Sequence, residues 1–360
     1  MSIKKEHIGI LLIATTMLLS ACSSDDAGVQ TDTAGNESAG KVVQLVSYIS
    51  PFVEKELSHR AAPTPTGFSA YTPDKPTNMG VYMLLSENPS SDWASPEEKI
   101  IKYNTTTGKW NASFEVEAGK TYSVYGYMPK TEGMTSSLTK TTADAATLTI
   151  TGMKAITTDD ICIITGVKET DEGLKEGQFS WNTPLGNETF YINILMDHLY
   201  ASVLFSMKID AEYASLRTIK LKTMTLSANK GSVNATISLT HNDTGASPIT
   251  GVTYTPSGNS GEAEIFNRDE GTPLDKTEPL TINACYVPLP TLSNNLTLVT
   301  TYDVYDRKGN LIRKNRSAIN KLPNLDAVRG QRVQVNMTVN PTYLYVLSDP
   351  DLDNPTITIN

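Results

Sequence analysis

Arg332-Val333-Gln334-Val335-Asn336-Met337-Thr338-Val339 decides the fold, because polar and apolar residues alternate through it without a break. Successive side chains of a strand point to opposite faces, so the three valines and Met337 turn to a core while the polar residues turn away. An α-helix of 3.6 residues per turn would scatter the same apolar residues around its circumference. Thr121-Tyr122-Ser123-Val124-Tyr125-Gly126-Tyr127 repeats the alternation with aromatic residues. Strand-like runs recur at 42–50, 80–85, 99–103, 109–116, 146–151 and 161–165. They continue at 190–195, 199–209, 219–226, 232–239, 281–287, 296–305 and 310–314. Asn104-Thr105-Thr106-Thr107-Gly108 and Asp306-Arg307-Lys308-Gly309 sit between paired runs and read as hairpin loops. The only helix the pattern supports is one or two turns over 211–216. Thr, Val, Ile and Tyr recur, while long Ala/Glu/Lys/Leu stretches are absent. The expectation is an all-β chain of antiparallel sandwiches.

The chain has 360 residues, enough for two ordinary domains with their own cores. Gly177, Pro184, Gly186 and Asn187 interrupt the strand pattern and place a boundary near residue 188. This divides the chain into a first sandwich at 61–188 and a second at 189–341. The run from 189 to 209, broken by Met196-Asp197-His198, is too long for one strand and would hand the chain from one sandwich to the other.

Before these domains stands a leader. Lys4 and Lys5 form a basic start, and the apolar run from Ile8 to Leu19 is too short to span a bilayer as a helix, so residues 1–21 read as a signal peptide. Leu19-Ser20-Ala21-Cys22 ends it in the pattern of a bacterial lipoprotein signal, which makes Cys22 the lipidated N-terminus of the exported chain. Two or three acyl chains on one cysteine anchor stably. Residues 23–40 are small and polar, which suits a flexible leash. Residues 22–60 begin with this leash and include a first strand-like run at 42–50.

The formal net charge is −9, and becomes −10 once Lys4, Lys5 and Glu6 leave with the leader. An acidic chain without Lys/Arg clusters argues against a nucleic-acid partner. Cys162 and Cys285 each lie in an apolar run. Export to an oxidising compartment permits a disulfide, while two buried thiols in separate strands is the simpler reading.

The search for chemistry returns little. There is no H-E-x-x-H, P-loop, Gly-x-Ser-x-Gly or Cys-x-x-Cys. Of four histidines, His7 leaves with the leader, and His59, His198 and His241 are scattered, so no triad or zinc set is visible. His198 follows Asp197 at an expected strand start and reads as a structural residue rather than a ligand. Asp and Glu are plentiful enough to leave a carboxylate-pair hydrolase open, yet nothing singles out a pair. No catalytic residue, metal site or cofactor is expected, and the chain reads as something other than an enzyme. Asp349-Pro350-Asp351-Leu352-Asp353-Asn354 spaces carboxylates like the start of a calcium loop. It lacks the required Gly and Glu, and reads instead as a solvated turn between runs at 343–347 and 356–359. These two runs, beyond Asn340-Pro341, form a tail at 342–360 that must pair with its own sheet or with a neighbouring molecule.

The lipoprotein leader, the early strand, Ser58-His59-Arg60-Ala61, Met79-Gly80-Val81-Tyr82, Asp197-His198-Leu199-Tyr200-Ala201 and the tail together resemble the fimbrillin-like proteins of Bacteroidetes fimbriae. The resemblance spans nearly the whole chain by pattern and order. Ser23-Ser24-Asp25-Asp26 and Asp32-Thr33-Ala34 also resemble surface-export and O-glycosylation signals of that phylum. What the resemblance implies is two transthyretin-like β-sandwich domains, secreted as a lipidated precursor at the outer membrane. It also implies cleavage after Arg60, which makes residues 22–60 leash and pro-segment and leaves Ala61 as the mature N-terminus in a Pro-rich, protease-accessible stretch. The strand at 42–50, capping the edge of the first sandwich, would then be removed. A donor strand from another fimbrial subunit would fill its groove, with Tyr343, Tyr345 and Leu347, or Ile357 and Ile359, pointing inward. Head-to-tail filling does not close on itself and gives a filament. The other reading is an adhesin that stays anchored through Cys22 and binds a host protein or glycan, with the sixteen tyrosines as stacking platforms.

Overall fold

The computed structural model describes residues 42–55, 67–86, 91–114, 120–140, 142–168, 182–184, 191–240, 248–341 and 350–359. Cys22, Arg60, Ala61, Tyr343, Tyr345 and Leu347 lie outside the described residues. The chain is all-β, as alternation predicts. Strands are numbered along the chain.

The first body is a closed sheet. Around it run β10 (Cys162–Lys168), β12 (Tyr191–His198), β1 (Val42–Ile49), β6 (Lys109–Ser113), β5 (Lys99–Asn104), β4 (Asn78–Leu85) and β7 (Thr121–Met128). β7 pairs back onto β10 through Cys162↔Met128 and Ile163↔Tyr127, which closes a seven-stranded barrel. Closure leaves no free edge among these strands. Two short strands attach outside the ring, β3 (Ser69–Ala70) to β1 and β11 (Asn182–Pro184) to β7. Inward residues recur at every second position and fill the barrel: Leu45, Met79, Val81, Trp110, Val124, Cys162, Ile164, Ile192, Ile194 and Met196 are all buried. The opposite face of β4 and β7 carries Tyr82, Leu84, Tyr125 and Tyr127. These residues pack beneath a flanking four-stranded sheet of β8 (Thr135–Lys140), β9 (Ala145–Lys154), β15 (Ser232–Thr240) and β16 (Ile249–Ser257). Strands on both sides of residue 188 therefore share sheets: β12 joins the barrel, and β15 pairs β9.

The second body is a two-sheet sandwich. One sheet orders β18 (Leu280–Val287), β13 (Ala201–Ile209), β21 (Gln331–Pro341) and β2 (Val53–Glu54), with β22 (Pro350–Ile359) also on β21. The other orders β17 (Gly261–Pro273), β14 (Thr218–Ala228), β19 (Leu296–Tyr305) and β20 (Leu311–Lys321). Between them lie Val203, Phe205, Leu221, Leu298, Val333, Val335 and Met337 among others, so the alternation quoted first does face a core. Two single α-helical turns, α1 (Ser91–Ala94) and α2 (Ala211–Ala214), and a 3-10 turn at Ser293–Asn295 complete the described elements. Asp210 caps the second by accepting from the backbone N–H of Glu212 and Tyr213.

Four expectations need correction. The sheets are mixed rather than antiparallel: β1 with β12, β13 with β21, and β2 with β21 all run parallel. These pairs join strands remote in sequence, whose connections are long enough to return the chain in the same direction. β1 does not cap an edge, because it is bonded to β12 on one side and β6 on the other. The described part of the acidic motif, 350–354, is no turn. Residues 350–359 form one strand, with Pro341↔Pro350 and Asn340↔Asp351 in register. His198 ends a strand rather than starting one. The run from 189 to 209 divides into β12 in the barrel and β13 in the sandwich.

Candidate functional site

Three segments that sequence analysis singled out converge on one region: the early strand, the Asp197-His198 dipeptide and the tail. β1 is a complete stave of the barrel. Gln44↔Tyr191 through Ile49↔Met196 pair it with β12, and Val42↔Ser113 through Leu45↔Trp110 pair it with β6. Leu45 is fully buried, Ser47 nearly so, and Ile49 packs against the same core. Inside, Trp110 donates from Nε1 to Ser47 Oγ at 3.0 Å, and that hydroxyl donates onward to the Tyr71 carbonyl at 3.0 Å. Withdrawing β1 would strand the indole N–H and leave two rows of backbone groups unpaired.

After β1 the chain crosses to the sandwich. Ser50 still donates its N–H to the Met196 carbonyl at 3.0 Å, and Val53 then donates to Gly330 at 2.9 Å. β2 lies on the edge of β21 at Gln331 and Arg332, and β22 continues along that edge from Val335 to Pro341. The pro-segment and the tail thus occupy consecutive stretches of one strand's edge. Ile357 and Ile359, expected as donor-strand residues, pack against their own sandwich core. Glu54 accepts from Arg332 at 3.1 Å, and Lys55 lies 3.3 Å from Asp326. Both are exposed pairs of small energetic weight.

Where the linker crosses, a polar cluster is buried beneath it. Cys162 and His198 are partners across β10 and β12, with Sγ and Nδ1 3.7 Å apart. Asp160, two residues before Cys162, places Oδ2 2.7 Å from the same Nδ1. His198 Nε2 donates to the Ser50 carbonyl at 2.7 Å, a direction set by the carbonyl, which only accepts. Phe52 stacks on the imidazole with ring centres 3.5 Å apart, lies 5.9 Å from the Tyr286 ring, and has the Arg332 guanidinium 5.5 Å from its own centre. Beside the cluster, Arg329 pairs with Asp197 at 2.8 Å. Burial, and then the carboxylates of Asp160 and Asp197, push the Cys162 thiol well up. Burial raises the Tyr71 and Tyr286 hydroxyls too, reinforced by Cys162 and Asp160. Asp160 Oδ1 is buried with no hydrogen-bond partner among the described residues.

No local sequence pattern groups these residues. The available signal was the Asp-x-Cys spacing, which puts Asp160 and Cys162 on one side of an extended chain. The partner lies across a strand pair that only register reveals. Cys162 and Cys285 are both buried and unpaired, matching the simpler of the two readings. Away from this region, a surface cleft of about 470 Å³ is lined by Glu264, Phe266, Arg268, Thr272, Leu280 and Asn283.

No family model matches the chain, and no curated protein matches it. Solved structures similar to it include Bacteroidales proteins described as fimbrial or as candidate cell adhesion proteins. One is a fimbrial protein from Bacteroides vulgatus, 12% identical over 78% of this chain and 92% of that one, with a TM-score of 0.33. Another is the fimbrial anchor protein Mfa2 from Porphyromonas gingivalis, 10% identical over 88% and 97%, with a TM-score of 0.23. A third is a candidate cell adhesion protein from Bacteroides fragilis, 10% identical over 89% and 97%, with a TM-score of 0.38.

Proposed function

We propose that this chain is a structural subunit of surface fimbriae, delivered as a lipidated precursor and assembled by strand exchange after cleavage behind Arg60. The reading takes the barrel and the sandwich as the two transthyretin-like domains of a fimbrillin-like protein, with no catalytic role. One observation carries it: β1 is a stave bonded on both sides, and it lies in the segment that such a cleavage would detach. Detachment leaves Leu45, Ser47 and Ile49 out of a core shaped around them. It also uncovers the unpaired edges of β6 and β12, an open slot that an incoming strand relieves. Leu45 alone is worth about 1.5–3 kcal/mol of burial. Lipid on Cys22 then serves delivery to the outer membrane, and the cleaved subunit passes into the fimbrium, where its partners are other subunits.

The test is to treat the purified precursor, beginning at Cys22, with an arginine-specific protease. A new N-terminus at Ala61, loss of β1, and heat-sensitive ladders of high mass are expected. Cleavage elsewhere, or a chain that loses β1 and stays monomeric, contradicts the proposal.

The cleft along Glu264–Arg268 favours a second reading, an adhesin that stays anchored through Cys22 and binds a glycan or host protein. Glycan-array binding by the uncleaved monomer, abolished on replacing Phe266 and Arg268, would select it.

A further inference from the structure

We propose that Asp160, Cys162 and His198 bind one divalent transition-metal ion of the zinc class, buried under the linker Ser50–Phe52. The argument for the site does not use the fimbrial reading, although Ser50 and Phe52 lie in the segment that reading would detach.

The three side chains already hold their donor atoms together. Asp160 carboxylate oxygen, Cys162 Sγ and His198 Nδ1 lie within 4.8 Å of one another. Donors about 2.0–2.3 Å from a tetrahedral zinc stand about 3.2–3.8 Å apart. The Nδ1 to Sγ distance of 3.7 Å falls in that range. Nδ1 and Asp160 Oδ2 are closer, at 2.7 Å, which is the spacing of a shared proton. A metal ion replacing that proton needs the carboxylate to retreat by about half an ångström.

The surroundings are those of a ligating imidazole. A metal-bound His commonly donates its other ring N–H to a carbonyl, which fixes the ring and leaves the coordinating nitrogen with a free lone pair. His198 does this, donating from Nε2 to the Ser50 carbonyl at 2.7 Å while Nδ1 faces Asp160 and Cys162. Phe52, stacked over the ring, holds its plane.

Two further observations point to a cation. Asp160 Oδ1 is buried without a hydrogen-bond partner among the described residues, so this carboxylate has unused acceptor capacity in a place where such capacity is costly. The charges also balance. Asp197 is already paired with Arg329, so a thiolate and the Asp160 carboxylate together neutralise one divalent ion. Binding releases two protons to solvent, one from the Cys162 thiol and one from between Nδ1 and Asp160. A donor set of thiolate, imidazole and carboxylate selects zinc or cobalt over calcium or magnesium.

Sequence analysis expected no metal site, because 36 residues separate His198 from Cys162 and only the β10–β12 register makes them neighbours.

The experiment uses the full chain with Cys22→Ser, so that the exposed cysteine cannot contribute. Reduced, metal-stripped protein is titrated with Co²⁺ alone and then Zn²⁺. The expected result is a thiolate-to-cobalt charge-transfer band saturating at one Co²⁺ per chain and quenched by Zn²⁺. Cys162→Ser abolishes the band, and Cys285→Ser, which alters the other buried thiol, retains it. X-ray absorption of the zinc-loaded chain, which needs no ligand variant to fold, should show one sulfur with nitrogen and oxygen neighbours. A folded chain that gives no charge-transfer band, or a zinc shell without sulfur, overturns the proposal.

Discussion

Trp110 and Ser47 face each other inside the barrel, the indole N–H donating to the hydroxyl at 3.0 Å across 63 residues of sequence. Trp110 is fully buried and belongs to β6, whereas Ser47 belongs to β1. The bond therefore reports whether β1 is in its seat. Ser47→Ala leaves a buried donor unpaired and should cost about 1–3 kcal/mol. A fall in the urea midpoint with an unchanged slope checks it.

Leu45→Ala removes the apolar anchor of the same strand. Its side chain is fully enclosed, so a cavity forms and the loss should reach about 2–4 kcal/mol. β1 is held by its ladders, by these anchors and by the Tyr48–Phe68 ring contact, and hydrogen exchange should accelerate on β1 more than on β7. Uniform acceleration across the barrel would show that β1 does not open separately.

Gly126 lies where β7 passes β4. A Cβ added there would stand 2.5 Å from the Gly80 carbonyl oxygen and 3.0 Å from Ile164 Cδ1. Neither backbone can yield without disturbing the β4–β7 ladder. Gly126→Ala should cost about 1–3 kcal/mol, read by thermal unfolding. The exposed Gly251, with open space around it, should tolerate the same change within about 0.5 kcal/mol.

Lys140 makes stability depend on pH. Its ammonium donates to the Ala143 carbonyl at 2.7 Å and to the Tyr125 hydroxyl at 3.1 Å, and lies 4.7 Å from the Trp93 ring centre. Burial holds its pKa down at about 8, against an ordinary 10.5. Between those values the unfolded chain binds the proton and the folded chain does not, so the lysine's contribution falls as pH drops from 10.5 to 8 and is constant below. Relative to wild type, Lys140→Met should gain about 1–3 kcal/mol between pH 10 and pH 7.5 in urea titrations. A pH-independent difference would contradict this.

How much of this was legible follows from where each residue's environment is set. The runs at 121–127 and 296–305 coincide with β7 and β19 because the sequence alternates in both; β19 alternates against one core along most of its length, whereas β7 is buried on both faces, between the barrel core and the flanking sheet. β17 escaped notice because of its residues only Ile265 is buried, so Glu262, Glu264, Arg268, Asp269 and Glu270 leave no alternation to read. β8 escaped for the opposite reason. In Thr135–Lys140 one of the two buried residues is a lysine, held by partners that lie elsewhere in the chain or in its loop. The barrel's closure and the three parallel pairs depend on register between remote strands. The Asp160, Cys162 and His198 cluster depends on it too, and no local pattern encodes that register.

The central claim is that an incoming strand takes the place of β1, and a disulfide trap tests it most directly. Asn111 of β6 is exposed and stands opposite Gln44 of β1. The trap pairs Asn111→Cys with a cysteine at an outward tail position, Leu344→Cys, Val346→Cys, Thr356→Cys or Thr358→Cys in turn, each with Cys22→Ser. After cleavage behind Arg60, at least one pair should give an oxidised ladder that survives heating in detergent and collapses on reduction, with none from the uncleaved chain. Absence of an intermolecular disulfide at every tail position, in chains that have lost β1, would contradict the account.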